Sequence, residues 1–270
     1  MLFPDAPRVV YKNNVLAQVI CQLRFPAILK IDTELPSAFQ ELIRDKFPIY
    51  QQSNENDQIQ VPESISQFLP REFVESFPLR GNLRFQFLST DRAWTISLTR
   101  EFVALSTTQY ECWEDFCENM GLVIQALINV YAPAFITRVG LRYQNVIDRK
   151  RLNLAESSWK DLIAQYILGP LAEEDVVKSI GELRNTTSFR LSDQNDYVRL
   201  EHGLIQVSGS HPPDHLYMLD NDLYSDKETQ ANAEHLTEKL NHFNAANRRL
   251  FNWCVTDRLR EAMQRENTDF

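Results

Sequence analysis

Four potential metal ligands lie within one short stretch of the second half of the chain. They are His202, His211, His215 and Asp220. Neutral imidazoles together with a carboxylate form a donor set that zinc prefers. Two prolines separate His211 from His215 and favour an extended turn, so these histidines do not share the face of a helix. A metal-dependent hydrolase centred on this stretch is therefore one alternative function, and a polar loop without metal is the simpler interpretation.

A second candidate site consists of arginines that suit the binding of an anion. Arg138 and Arg142 lie in a segment that alternates as a strand does, so they share one face. Arg100 comes from the neighbouring unit, and Tyr143 completes the predicted binding patch. Guanidinium groups make bidentate contacts to carboxylate or phosphate, so nucleic-acid binding through a local arginine patch is another alternative. The competing interpretation is a sheet surface on which these arginines pair with Asp and Glu.

The patterns typical of catalytic sites are missing from the rest of the sequence. All seven glycines are isolated, whereas a phosphate-binding loop needs several close together. Ser208 and Ser210 flank Gly209 but lack the paired glycines of a nucleophile elbow. Asp220 and Asp222 point the same way on a strand and are candidates for a divalent cation, with solvated surface acids as the alternative. We therefore expect no catalytic residues and no cofactor.

Composition and charge limit the classes of partner. The chain has 270 residues, 43% of them hydrophobic, which is enough for a core without disulfides. A net charge of -9 opposes attraction to phosphate backbones and to anionic membranes, so nucleic acid is a disfavoured partner and no membrane is expected. The four cysteines lie in segments with the pattern of helices or strands, which predicts reduced, buried thiols. The absence of a signal segment and of a long apolar run predicts a soluble cytoplasmic protein.

The spacing of apolar residues predicts the elements that position these candidates. Alternation of apolar and polar residues predicts strands, and spacings of three and four predict helices with one buried stripe. The predicted strands cover residues 15–25, three short segments within 83–106, 138–144, 188–191, 197–207 and 216–224. The predicted helices cover residues 35–47, 111–131, 159–168 and 236–262, and the polar run 51–58 is predicted to be a loop.

These elements predict an α+β fold with antiparallel sheets, each packed by a long amphipathic helix. The order of elements in the second half resembles that in the first, so two pseudo-repeated units of sheet plus helix are an open interpretation. The charged run at 148–151 is the best boundary, which gives predicted units of 1–150 and 151–270. One continuous domain remains the alternative, because no flexible linker marks the boundary.

Several segments of the chain resemble those of one known family. They are EFVALSTTQYECWEDF at 101–116, TRVGLRYQNVID at 137–148, VLAQVICQLRFPAIL at 15–29, LYMLDNDLYS at 216–225 and FNWCVTDRLREAM at 251–263. Over nearly its whole length the chain thereby resembles a sporadically distributed family of uncharacterised prokaryotic proteins defined only by a sequence model. The resemblance implies no activity and no catalytic residues. The patchy distribution of the family resembles that of components of defence or toxin–antitoxin loci.

The leading hypothesis is a non-catalytic interaction protein, an accessory subunit of unknown pathway. Strong core signals without a catalytic signature motivate it. The expected partner is another protein, or a second copy of the chain, bound through an exposed sheet edge or through the long final helix. A large exposed apolar patch or an interface above roughly 1,000 Å² would favour this hypothesis.

Overall fold

One antiparallel sheet organises the part of the chain that the structure describes. The structure is a computed structural model, and it describes residues 2–54, 83–192, 195–206 and 215–266. The strands in these ranges are β1 (Leu16–Arg24), β2 (Ile49–Asn54), β3 (Leu83–Leu88), β4 (Trp94–Leu98), β5 (Phe102–Thr107), β6 (Arg138–Ile147), β7 (Leu183–Ser192), β8 (Asp196–Gln206) and β9 (His215–Ser225). Their spatial order is β2-β3-β4-β5-β1-β6-β9-β8-β7, so β2 and β7 are the two edges.

Two long helices cover one face of this sheet. The α-helices of the described residues are α1 (Lys30–Thr33), α2 (Ser37–Ile43), α3 (Trp113–Tyr131), α4 (Gln165–Leu168), α5 (Glu174–Val177), α6 (Ala233–Cys254) and α7 (Asp257–Ala262). Helices α3 and α6 contact each other, and α3 packs on β5 while α6 packs on β6 and β9. Among the helices described here, none combines the length and apolar composition needed to span a membrane.

The ends of α3 follow from its sequence. Glu114 and Asp115 in the first turn match the positive end of the helix dipole. At the other end Ala132 adopts a left-handed conformation with φ 41°, and Pro133 cannot continue the helix. The buried stripe of the helix comprises Phe116, Met120, Val123, Ile124, Ala126 and Leu127. This stripe packs into the hydrophobic core, with β5 as the strand that α3 contacts most.

The single helix predicted for residues 236–262 is in fact two helices. Helix α6 starts after Asn232, whose side chain accepts a hydrogen bond from the backbone N–H of His235. It stops at Cys254 because Val255 forms a β-bridge with Ile163, which takes its backbone out of the helical conformation. Thr256 then caps α7.

The two edge strands also differ from the prediction. The polar run predicted to be a loop contributes Gln51 and Gln52 to β2, which pairs with β3 along its whole length. Strand β7 has ten residues, whereas only 188–191 were predicted. An edge strand has one hydrogen-bonded neighbour and is partly solvated, so its sequence shows a weaker apolar alternation than that of an inner strand.

Strands from both predicted units join in the same sheet. β1 and β6, both from residues 1–150, pair antiparallel at the centre. β6 pairs on its other side with β9, from residues 151–270. The predicted α+β class, with antiparallel pairing and a long packed helix, is thereby confirmed, but the separate sheets predicted for the two units form one sheet.

Candidate functional site

The face of the sheet opposite the two long helices carries most of the charged candidates. The helix face is marked by Tyr143 and Asn221, which hydrogen bond to Asn244 and Asn247 of α6. Successive residues of a strand alternate between faces, and residues paired across antiparallel strands share one. We call the side away from α6 the open face. On β6 to β9 its charged residues are Arg138, Arg142, Arg184, Arg190, Arg199, Glu201, Asp220 and Asp222.

At the centre of the open face, Arg142 and Asp220 form a buried bidentate ion pair. Arg142 Nε donates to Asp220 Oδ1 over 2.8 Å, and Nη2 donates to Oδ2 over 2.5 Å. Gln144 Nε2 adds a third hydrogen bond, 3.3 Å from Oδ2. Burial alone lowers the pKa of Arg142, but the charge and hydrogen bonds of Asp220 outweigh it and leave the pKa raised. Both carboxylate oxygens of Asp220 thus accept hydrogen bonds from one arginine.

Arg138 lies at one end of a ladder of stacked side chains across four strands. Its guanidinium is 3.9 Å from the centroid of the Tyr224 ring, over the space that Gly140 leaves open. Tyr224 stacks on Tyr197 with the ring centroids 5.6 Å apart. Arg190 of β7 follows, with its guanidinium carbon 5.9 Å from the Tyr197 centroid. Contacts of this kind between cations and rings fix side chains on the sheet surface.

Asp222 is a carboxyl group of this face whose pKa departs from its ordinary value. Burial raises its pKa, and the nearby charge of Asp220 acts in the same direction. Arg138 and Arg142 oppose this shift without cancelling it. Arg138 Nη2 lies 3.4 Å from Asp222 Oδ2, and its Nη1 lies 2.7 Å from Asp226 Oδ1. Acids and arginines therefore neutralise each other on the inner strands.

The four residues of the predicted binding patch occupy three different places. Arg138 and Arg142 share the open face, as the strand periodicity predicts. Arg100 lies in the turn between β4 and β5 and pairs with Asp32 over 3.4 Å and with Glu101 over 3.3 Å. Tyr143 is buried on the helix face, and burial raises its pKa well above the usual value. The hydroxyl of Tyr143 therefore cannot join the arginines in one anion site.

The described members of the predicted metal site also lie apart. His202 faces the helices, with Nδ1 2.8 Å from the Tyr217 hydroxyl, and burial lowers its pKa. It pairs with Leu219, so Asp220 projects from the opposite face. His215 lies four residues beyond Leu219, about 13 Å along the strand at ~3.3 Å per residue. His211 is outside the described residues, and within them no cluster of three or more possible metal ligands occurs.

None of the four free cysteines has the environment of a nucleophile. Cys21 and Cys254 are buried, and burial raises the pKa of both thiols. Burial also raises the pKa of the half-buried Cys112 and Cys117. A thiolate is the reactive form, so these thiols are suited to packing rather than to covalent chemistry.

A row of asparagines on α6 is a feature that the sequence analysis missed. Trp113 Nε1 donates to Asn241 Oδ1 over 2.7 Å, which links α3 to α6. Two further asparagines at intervals of three bind the sheet: Asn244 accepts from the Tyr143 hydroxyl, and Asn247 accepts from Asn221 Nδ2 over 2.8 Å. The spacing of three on a predicted helix was the available signal. These bonds fix the position of α6 along the sheet.

Edge strand β7 presents an exposed row of polar side chains. Leu183, Asn185, Phe189 and Leu191 are half-buried, whereas Arg184, Thr186, Thr187, Ser188 and Arg190 are exposed. Its inner side pairs with β8 from Leu183 to Ser192, with one irregularity near the end. No other strand of the described residues pairs with its outer side. The main-chain groups on that side form the longer of the two unpaired edges of the described sheet, since β7 has ten residues and β2 has six.

Close packing anchors β7 against the rest of the sheet. A Cβ on Gly203 of β8 would lie 1.7 Å from the carbonyl oxygen of Leu183, so only glycine permits this approach of the two backbones. Phe189 packs its ring 5.4 Å from Phe3 and 6.2 Å from Trp253 on the helix face. The edge strand is therefore held in one position.

Comparison of the chain with protein-family models and with curated proteins gave no match.

Proposed function

We propose that the protein is a non-catalytic interaction module that binds another protein by adding a segment of the partner to edge strand β7. The observation that carries the proposal is the exposed ten-residue edge, beside which the described residues place no further strand. Main-chain donors and acceptors on the outer side of such a strand can pair with an extended segment of another chain. The partner would then extend the sheet by one strand.

The length of β7 favours strand addition. Ten residues at ~3.3 Å per residue give an edge about 33 Å long, against about five or six residues for a typical strand. Backbone hydrogen bonds supply affinity in this mode of recognition, and side chains that alternate between the faces supply specificity. A long edge therefore offers both more bonds and more positions that distinguish partners.

The anchoring of β7 favours the same conclusion. An edge that is already ordered loses little conformational freedom when a partner binds, so more of the interaction free energy appears as affinity. That order comes from the close backbone packing at Gly203 of β8 and from the aromatic contacts of Phe189 on the helix face. The partner segment is then the main component that becomes ordered.

The state of the titratable groups supports a non-catalytic role. Asp220 is held by Arg142, and burial depresses the pKa of His202 and raises the pKa of the buried thiols. General acid–base chemistry needs a group that can reach a substrate and exchange a proton near the working pH. These groups instead bond to each other or pack in the core.

We also propose that the two halves arose as structural duplicates. In the first half, the central strand β1 is followed by helices and then by the edge strand β2. In the second half, the central strand β6 is followed by helices and then by the edge strand β7. From each edge the next strands lie progressively nearer the centre of the sheet. The last of them pairs with the central strand, β5 with β1 and β9 with β6, and a long helix follows. This order supports a boundary between α3 and β6, before the charged run at 148–151 at which the sequence analysis placed it. It also makes β2 the counterpart of β7 and hence a matched control.

Paired proline substitutions test the proposed binding edge. Successive residues of an edge strand direct their N–H groups alternately toward the neighbouring strand and toward solvent. Of Thr186→Pro and Thr187→Pro, one therefore removes a bond to β8 and lowers the melting temperature, while the other removes an outward donor and leaves the fold intact. The variant with the unchanged melting temperature is the probe.

The probe is compared with the wild type by affinity capture from an extract of the source cells and quantitative mass spectrometry. We expect one protein that co-purifies in stoichiometric amount with the wild type to be lost with the β7 probe. The matched control is the stable member of the pair Gln51→Pro and Gln52→Pro on β2. Retention of the partner by the β7 probe, or its loss with the β2 control alone, would contradict the proposal.

A further inference from the structure

We infer that the segment bound at β7 is acidic: an extended stretch of another protein with carboxylates opposite Arg184 and Arg190. This inference rests on the proposed function, because it names the chemistry of the strand that the edge accepts. It follows from the charge of the open face beside the edge and from the alternation of side chains along β7.

The edge is locally cationic in an acidic protein. Strand β7 contains two arginines and no acidic residue, in a chain with a net charge of -9. Arg184 and Arg190 are exposed on the open face, and Arg199 of β8 is 54% exposed beside them. Glu201 contacts both Arg184 and Arg199, but its side chain is only 12% exposed. Although the exposed Glu182 directly precedes β7, the strand itself is positive where it meets an added strand, which attracts an acidic segment and repels a basic one.

The side chains of β7 define the pattern of the added strand. On the open face, two arginines flank Thr186 and Ser188, so the complementary strand has two acidic residues with small polar or β-branched residues between them. On the other face, Phe189 is half-buried and favours an apolar partner directly opposite. Side chains directly opposite each other contribute most to the pairing of two strands. The positions of the charges therefore also specify the register of the added strand.

A second copy of the chain fits this edge poorly. Symmetric antiparallel pairing of two β7 strands must keep the open faces on the same side of the joined sheet. The longest such overlap that stops short of the irregularity before Ser192 is centred on Thr187, and it places Arg184 of one copy opposite Arg190 of the other. Like charges directly opposite each other are destabilising. A partner with acidic residues at these positions removes the repulsion.

Synthetic peptides measure the predicted preference on the intact chain. The probe peptide alternates threonine and valine and carries glutamate at the two positions opposite Arg184 and Arg190. A second peptide has lysine at both positions, and a third keeps the glutamates but has a central proline. Titration calorimetry at low salt should show that the glutamate peptide binds at least about fivefold more tightly than the lysine peptide, since two cross-strand pairs change from attraction to repulsion. The proline peptide should bind more weakly than its parent because it cannot complete the ladder.

Charge reversal on the protein assigns the preference to β7. Arg190→Glu is the preferred variant, because Arg184 also pairs with Glu201 and its reversal would place two carboxylates together. We expect this variant to lose the preference for glutamate over lysine at the matching position. Arg92→Glu, in the exposed turn between β3 and β4, makes the same change in net charge far along the sheet and should keep the preference.

Each alternative outcome has a distinct meaning. Equal binding of the glutamate and lysine peptides, or equal effects of Arg190→Glu and Arg92→Glu, would overturn the acidic partner. If the cellular partner is lost with the β7 proline probe but retained by Arg190→Glu, strand addition stands and the acidic inference fails. If the proline probe retains the partner, the proposed function itself fails. A dimer in light scattering that disappears in the proline probe would identify a second copy as the occupant and overturn the inference.

Discussion

The inner strands β6 and β9 and the edge strand β7 all contribute to the charged open face, but their arginines lie in different surroundings. Arg142 is 13% exposed, and Asp220 of the next strand binds it through two hydrogen bonds. Arg190 on the edge is exposed, and the ring of Tyr197 is 5.9 Å from its guanidinium carbon. The comparison teaches that a neighbouring strand can supply the carboxylate that holds a buried arginine, whereas an arginine on the edge strand stays exposed.

The largest effect is expected when the inner carboxylate is removed. In Asp220→Ala the buried guanidinium of Arg142 loses its bidentate partner, and truncating one member of a buried ion pair costs about 3–5 kcal/mol. Urea unfolding measures this loss of stability. The matched control is Asp226→Ala, because Asp226 is 56% exposed where it pairs with Arg138, and a loss below about 1 kcal/mol is expected. Equal losses in the two variants would contradict the distinction between inner and surface pairs.

A smaller loss is expected when β7 is forced away from β8. In Gly203→Ala the added Cβ meets the carbonyl of Leu183, and overpacking of this kind costs about 1–3 kcal/mol because an edge strand can shift outward. Hydrogen exchange should show faster exchange in β7 than in β9. Gly121→Ala is the control: its Cβ meets no atom within 4 Å, and the change should stabilise α3 by about 0.5–1 kcal/mol. Unchanged exchange in β7 would show that the close approach is not needed.

The pH dependence of stability distinguishes Asp222 from surface acids. Its pKa is raised in the folded protein above the ordinary value of 3.8, chiefly by burial. The folded state therefore holds the proton more tightly than the unfolded state, so stability falls as pH rises from 3.8 through the folded pKa. We expect the stability of the wild type relative to Asp222→Asn to fall over that interval. The opposite slope would mean that Arg138 and Arg142 dominate its ionisation.

The smallest effect on stability is expected at the edge. Arg190→Glu changes an exposed side chain, so its free energy of unfolding should differ from that of the wild type by less than about 0.5 kcal/mol. The same variant is expected to change peptide preference, which would separate binding from folding at one residue. A loss of more than about 2 kcal/mol, of the size expected for core substitutions, would place Arg190 in the structural network instead.

Local patterns predicted most of the elements but not their arrangement. The stripe of α3 and the alternation around Val139 and Leu141 come from burial against one face, which leaves a periodic signal in the sequence. The polar β2 and the full length of β7 were missed because edge strands are fixed by a neighbour rather than by an apolar face. The break at Val255 was missed for a related reason, since a bridge to Ile163 interrupts an otherwise helical pattern.

The candidate site shows the same limit. Strand periodicity was enough to place Arg138 and Arg142 on one face. The partner of Arg142 is Asp220, 78 residues away, and local spacing carries no information about which distant strand lies alongside. The cluster of His202, His215 and Asp220 in the sequence suggested a metal site for the converse reason, because residues close in sequence on paired strands can still project from opposite faces of the sheet or lie far apart along it. Which strands form the edges of a sheet depends on the order of strands, which no single segment of sequence encodes.

Hydrogen exchange of the complex with the captured partner tests the central claim most directly. The exchange of free protein and complex is compared peptide by peptide with mass spectrometry, with β2 as the internal reference edge. The account predicts that amides of Leu183–Ser192 gain protection in the complex while those of Ile49–Asn54 do not change. Unchanged exchange in β7, together with new protection on another surface of a stable complex, would contradict it.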